Sequence, residues 1–192
     1  MFTDPILKKL VKQYPAPQFE DRSKFLLRQL IESVISQQLS VKASDTIFNR
    51  FLALFKTKSF PKPQDILNMP DDTLRNAGIS YGKISYIKAI AQAFVDKKLD
   101  HKKIIKLSDE EVIAELTKIK GIGQWTAEMI LIFTLNRPDV FSIGDLGLRN
   151  AITKLYEITD KKEMLKLAET WKPYRSHASW YLWRSLENTN KK

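Results

Sequence analysis

The chain has 192 residues, 43% of them hydrophobic, enough to fill a real core in one or at most two domains. Its formal net charge is +10, which favours a polyanionic partner, and it has no cysteine, which excludes disulfides and cysteine-ligated zinc. The two histidines, His101 and His177, supply no paired metal ligands, and no apolar run is long enough to span a membrane. The first residues, Met1 to Pro5, carry no signal-peptide pattern, so an intracellular protein is expected, cytoplasmic or nucleoid-bound in a prokaryote.

Asp4-Pro5 opens a short amphipathic helix that Pro15 and Pro17 end. Ser23 to Gln38 follows with Phe25, Leu26, Leu30, Val34 and Ile35 in helical phase. Ser40 caps a helix from Val41 to Phe55, whose apolar face carries Val41, Ile47, Phe48 and Phe51. Gln64 to Asn68 is a short helix, and Pro70-Asp71-Asp72 begins another that stops at Gly78. Ser80 to Val95 places Ile84, Ile87, Ala91 and Phe94 inward and leaves Lys83 and Lys88 to solvent, and Lys97 to Lys106 is a basic link. Ser108, with Glu111 three residues on, forms a capping box that starts the next helix. Beyond Asp145 come helices at Leu146 to Tyr156, Lys161 to Thr170 and Arg175 to Leu186, then a polar tail. No stretch alternates with period two, so the chain is read as all-α.

The organising stretch is Leu116 to Asp145. A tight turn, Lys120-Gly121-Ile122-Gly123, lies between a helix ending near Thr117 and one running from Gln124 to Leu135. Glycine at such a turn allows positive φ and leaves backbone N–H groups uncovered at a helix N-terminus, where an anion is favoured. On the glycines alone this is a helical hairpin and no more. A dinucleotide site fits worse, since that motif follows a strand and needs a third glycine where Thr126 stands.

Leu116 to Asp145 resembles the helix-hairpin-helix and catalytic-aspartate signature of the helix-hairpin-helix DNA glycosylase superfamily. Gly121-Ile122-Gly123-Gln124-Trp125-Thr126-Ala127, Asp139-Val140-Phe141 and Asp145-Leu146-Gly147-Leu148-Arg149 are most similar to its 3-methyladenine DNA glycosylase II branch. Ile35 to Ser40 and Trp171 to Ser176 add two further matches in the family's order. The resemblance implies one glycosylase domain over residues 1–192, with two helical lobes and an active cleft between them. One lobe would hold about 1–40 and 136–192, the other about 41–135 with the hairpin at 109–135. It also implies a monomer acting on double-stranded DNA that contains alkylated bases, without an iron–sulfur cluster.

Asp145 by itself is a good helix N-cap. The resemblance makes it the catalytic aspartate as well, offsetting the positive charge that grows on the sugar as the base leaves and directing the attacking water. An alkylated purine is already cationic and departs neutral, so one carboxylate suffices. Trp125 stands where the strand-nicking branches carry a lysine nucleophile, which implies hydrolysis only. Trp125 and Trp183 would be aromatic walls for a flipped cationic base, with Met129 in place of an aromatic seen in relatives. Trp171 and Tyr174 read as core and hinge residues. Gln38, or alternatively Leu39, would fill the gap left by the extruded nucleotide. Lys120, Gly121, Gly123 and Gln124 would take phosphates, and the carbonyls of Thr117, Ile119 and Ile122 would hold a structural Na+ or K+. The rival reading is a non-enzymatic helix-hairpin-helix module that binds DNA through its backbone alone.

Overall fold

The computed structural model describes residues 2–57 and 59–187. Among them the chain is helical throughout, with no strand, in agreement with the absence of period-two patterning. The elements are α1 (Pro5–Gln13), a 3-10 turn (Ser23–Phe25), α2 (Leu26–Ser36), α3 (Val41–Ala53), α4 (Pro63–Asn68), α5 (Asp71–Asn76) and α6 (Tyr81–Val95). They continue with α7 (His101–Ile104), α8 (Asp109–Thr117), α9 (Gln124–Phe133), α10 (Leu146–Tyr156), α11 (Lys161–Glu169) and α12 (Arg175–Glu187). The polar tail beyond Glu187 lies outside the described residues.

Local signals set most boundaries. Asp4 accepts from the Leu7 N–H, Ser40 from Ala43, Ser80 from Lys83, and Ser108 and Glu111 form the reciprocal capping box. Where the structure departs from pattern, the neighbours decide. The helix expected from Ser23 begins as a 3-10 turn and ends at Ser36, and Gln37-Gln38 form a turn with Gln38 at φ +58°. Phe25 and Val41, expected inward, are exposed. The basic link contains the single-turn α7, capped by Asp100. Lys83 and Lys88 are half-buried rather than left to solvent: Lys88 pairs with Asp71, and Lys83 bonds two carbonyls.

The chain forms two compact units, Met1–Asp21 with Leu131–Lys192, and Arg22–Ile130. The division falls at 21/22 and 130/131, not near 40 and 135, because α2 packs against α3 and α6 in the second unit. In the first unit α10 and α1 pack on α12. Its core joins Leu7, Leu10, Leu148, Ile152, Met164, Trp171, Tyr181 and Leu182. In the second, α2, α4 and α5 pack on α6, whose Ile84, Ile87, Ile90 and Ala91 are buried.

Candidate active site

In the second unit, α8 ends at Thr117 and two turn bonds, from the Ile119 N–H to Leu116 and from the Ile122 N–H to Ile119, carry the chain to α9. Of the two turn glycines Gly121 has positive φ, +92°, and a Cβ there would lie 2.2 Å from Cγ of Tyr86 on α6. Backbone sign and close approach therefore both demand glycine at this position. Gly123 differs. Its φ is not positive and a Cβ would meet nothing within 4 Å. Its carbonyl accepts the Ala127 N–H at 3.0 Å, so it heads α9, where the first amides of a helix have no acceptor inside it. The glycine leaves that end uncovered.

Around this turn Lys120 is exposed and lies 6.0 Å over the Tyr86 ring, whereas Lys118 is paired with Glu115 at 2.5 Å. Gln124 donates to Glu128, one helical turn on, at 2.9 Å. Trp125 is 44% exposed on the first turn of α9, and Met129, half-buried, follows one turn later. The Ile119 carbonyl already accepts one N–H, which leaves its second lone pair for a cation; among the described residues no group of three or more His, Asp or Glu could hold a metal ion. Exposed Gln38 and Leu39 form a tip beside the hairpin, joined to it by Gln37 Nε2, which donates to the Gly121 carbonyl at 3.3 Å.

In the first unit the segment after α9 is held by side chains. Arg175 grips Asp139 through Nε and Nη2 at 2.9 and 3.0 Å and also reaches the Asp139 carbonyl. Ser176 Oγ donates to the Arg137 carbonyl at 2.6 Å and accepts from the Val140 N–H at 3.0 Å. Arg149 Nη1 bonds the carbonyls of Ile143 and Gly144 at 2.9 and 2.8 Å. The loop so held ends on Asp145, the N-cap of α10.

Asp145 Oδ1 accepts from the Leu148 N–H at 2.8 Å and from the Trp183 indole N–H at 2.9 Å. Trp183 is thus tied to the carboxylate. A Cβ on Gly147 would lie 3.1 Å from both Oδ1 and Trp183 Cδ1, so glycine there makes room for the pair. The Trp183 ring lies 5.6 Å from that of Phe133, which is 40% exposed and in edge contact with Phe19 at 5.8 Å. Phe19 in turn meets His177 at 5.3 Å. Burial pushes the His177 imidazole below its ordinary value, and its Nδ1 is buried without a partner. Trp171 is buried in the core, as expected, whereas Tyr174 is exposed.

The structure therefore brings Asp145 to Trp183, and Gln37 to Gly121. Pattern reading passed over Phe133 and Phe19, took Gly147 only as part of a motif, and left Lys83 to solvent. Phe133 had a signal, since it follows Met129 by four residues as Met129 follows Trp125. Phe19 and Lys83 had none, because their partners lie far along the chain.

A protein-family model described as HhH-GPD superfamily base excision DNA repair protein matches residues 31–175. The chain belongs to this superfamily. It is 42% identical over 184 residues to DNA-3-methyladenine glycosylase 1 of Schizosaccharomyces pombe, covering 93% of this chain and 80% of that protein. Among solved structures it is similar to the S. pombe 3-methyladenine DNA glycosylase in complex with abasic DNA, with 39% identity and a TM-score of 0.86 over 96% of this chain and 93% of that one. A DNA-3-methyladenine glycosidase from Bacillus halodurans is 32% identical, with a TM-score of 0.79 over 99% and 93%. The all-helical HhH-GPD fold is the fold of this chain, and no helix among the described residues is long and apolar enough to cross a membrane.

Proposed function

We propose that this protein is a DNA glycosylase of base excision repair that hydrolyses the N-glycosidic bond of alkylated purines in double-stranded DNA. The substrates would be of the 3-methyladenine and 7-methylguanine type, and an intact strand bearing an abasic site would be left. The observation that carries this is the Asp145 carboxylate, only half-buried yet held by two donors at 2.8 and 2.9 Å on one oxygen. A structural cap needs one donor. Orientation of a carboxylate toward a reacting centre rewards a second.

As the C–N bond breaks, electron density leaves with the base and positive charge spreads over C1′ and the ring oxygen. Asp145 offsets that charge and takes up the proton of the water that attacks C1′. The base leaves without a proton because alkylation has made it cationic, and the rings of Trp125 and of Trp183 each favour that cation by about 1–2 kcal/mol per contact, with Met129 in place of a further aromatic. Gln38 or Leu39 fills the vacated place in the stack. Lys120 and the amides at Gly121, Gly123 and Gln124 hold phosphates, which position the duplex without reading its bases. The cofactor side of this reading is a monovalent cation on the carbonyls of Thr117, Ile119 and Ile122, and no iron–sulfur cluster, in keeping with a chain that lacks cysteine. The protein acts as a monomer on intracellular DNA.

Release of free base from methylated duplex by wild type, and not by Asp145→Asn, tests the activity against the binding-module rival, which predicts release by neither. Borohydride treatment tests the hydrolytic outcome. A covalent protein–DNA adduct with prompt strand cleavage would overturn the assignment of Trp125 as the residue that replaces a lyase lysine.

A further inference from the structure

The end of α2 presents a problem that the sequence does not show. The last carbonyls of a helix lack partners inside it, and here the chain turns sharply at once, with Gln38 at φ +58°. A residue other than glycine rarely takes that conformation, and it persists only where the surroundings impose it. Lys83, in the first turn of α6, does the imposing. Its Nζ donates to the Ile35 carbonyl at 2.8 Å and to the Gln37 carbonyl at 2.7 Å. An ammonium suits the negative end of a helix. Burial pushes the Lys83 ammonium below the ordinary lysine value, a cost that the two carbonyls offset.

The same helix supports the hairpin. Tyr86, three residues beyond Lys83, packs against the bare Cα of Gly121, and Gln37 donates across to the Gly121 carbonyl at 3.3 Å. Lys83 and Tyr86 are neighbours on one face of α6. One helical turn therefore carries both the Gln38–Leu39 tip and the turn that heads α9. Leu39 is 40% exposed at the tip and Val41, just behind it, is 77% exposed, so the tip projects apolar surface from a stiff base.

We propose that Lys83 is a positioning residue for base extrusion: it fixes the Gln38–Leu39 tip in register with the phosphate-holding hairpin, so that the tip enters the duplex at a set distance from the anchored backbone. This rests on the glycosylase reading above. Lys83 touches neither base nor sugar. Its part is thermodynamic: a tip ordered in advance loses little conformational freedom on insertion, whereas a slack tip must be ordered at each encounter. The burden is greatest where the target base is well stacked and paired and least where it is not, because unpairing is what the inserted tip compensates.

The test is single-turnover excision of 7-methylguanine from two duplexes, one with cytosine opposite the lesion and one with an abasic spacer opposite it. Lys83→Met keeps the alkyl stem and removes the donors. It is expected to slow excision from the cytosine duplex by about 10- to 100-fold, the scale of a misplacement of about 1 Å. Excision opposite the spacer should stay much nearer the wild-type rate, and Lys83→Arg should restore most of the cytosine-duplex rate. Equal losses on both duplexes, or no loss on either, would overturn the proposal, since a general structural defect does not discriminate between them. Should Lys83→Met fail to fold, Gln37→Ala serves in its place, cutting only the link to Gly121 and expected to show the same preference more weakly. Wild-type protein that excises nothing from either duplex would overturn the glycosylase reading itself, a result distinct from an unselective variant.

Discussion

The hairpin at the head of α9 and the acid loop beyond its end are built on opposite principles. At the hairpin, the head of α9 is left bare: Tyr86 fills the space beneath Gly121, and nothing lies within 4 Å of where a side chain on Gly123 would start. At the acid loop, side chains do the holding: Arg175, Ser176 and Arg149 bond main-chain groups, and Trp183 bonds Asp145 itself. The difference follows from what each must meet. An incoming anion needs donors left uncovered, so glycine serves. A reacting carboxylate must point one way, and direction in a loop comes from bonds that cross it.

The largest effect that would break this comparison is on chemistry. Asp145→Asn is expected to lower single-turnover excision by at least about 100- to 1000-fold, the scale of losing a main electrostatic contribution to the transition state. The melting temperature should hardly move, because Asn also caps a helix and its oxygen can still accept from Trp183. An equal fall in stability would mean that the acid loop is held together for structure alone.

Gly121→Ala and Gly123→Ala separate the two glycines. The first places Cβ 2.2 Å from the Tyr86 ring at a positive φ and is expected to destabilise the protein by about 2 kcal/mol or more, measured by urea unfolding. The second should leave unfolding almost unchanged and weaken binding to damaged and undamaged duplex alike, because it covers amides that hold phosphates and read no base. A Gly123→Ala protein with full DNA affinity would show that the bare helix head is not the anchor.

Trp183→Phe sharpens the account of the acid loop, since it keeps an aromatic ring and removes the indole donor. Excision is expected to fall by about tenfold, the value of one charge-assisted hydrogen bond. The loss should appear in the rate of the chemical step with little change in DNA affinity.

Lys120→Ala should reduce the log–log salt slope of DNA binding by about one, as for a single phosphate contact. Lys118→Ala should leave it nearly unchanged, because that ammonium is paired with Glu115. Like slopes for both variants would move the anchor away from the hairpin.

The smallest effect expected concerns pH. Burial pushes the His177 imidazole below the ordinary 6.5, so its contribution to stability is present above that value and lost as pH falls through and below it. His177→Phe should flatten part of the acid limb of the stability profile read from urea midpoints. An unchanged limb would place the acid sensitivity elsewhere.

Much of this molecule was legible in its sequence, for reasons of range. Helix periodicity and caps act over three or four residues, so α1, α4, α6, α8, α10 and α12 could be placed from Asp4, Gln64, Ser80, Ser108, Asp145 and Arg175 within a residue or two. The hairpin was visible because glycine spacing is a local signal, and Asp145 because a cap and its helix adjoin. What the tertiary structure alone decided is which distant groups meet. Trp183 donates to a carboxylate 38 residues away, Gln37 reaches a carbonyl 84 residues on, and Lys83, at a position whose pattern points to solvent, bonds carbonyls 48 and 46 residues before it. Of the two turn glycines Gly121, and not Gly123, proved obligatory, through its positive φ and through the approach of Tyr86 from another helix. Periodicity reports which face of a helix is apolar; it carries no information on which polar atom from another helix will arrive there, because that depends on how the helices pack.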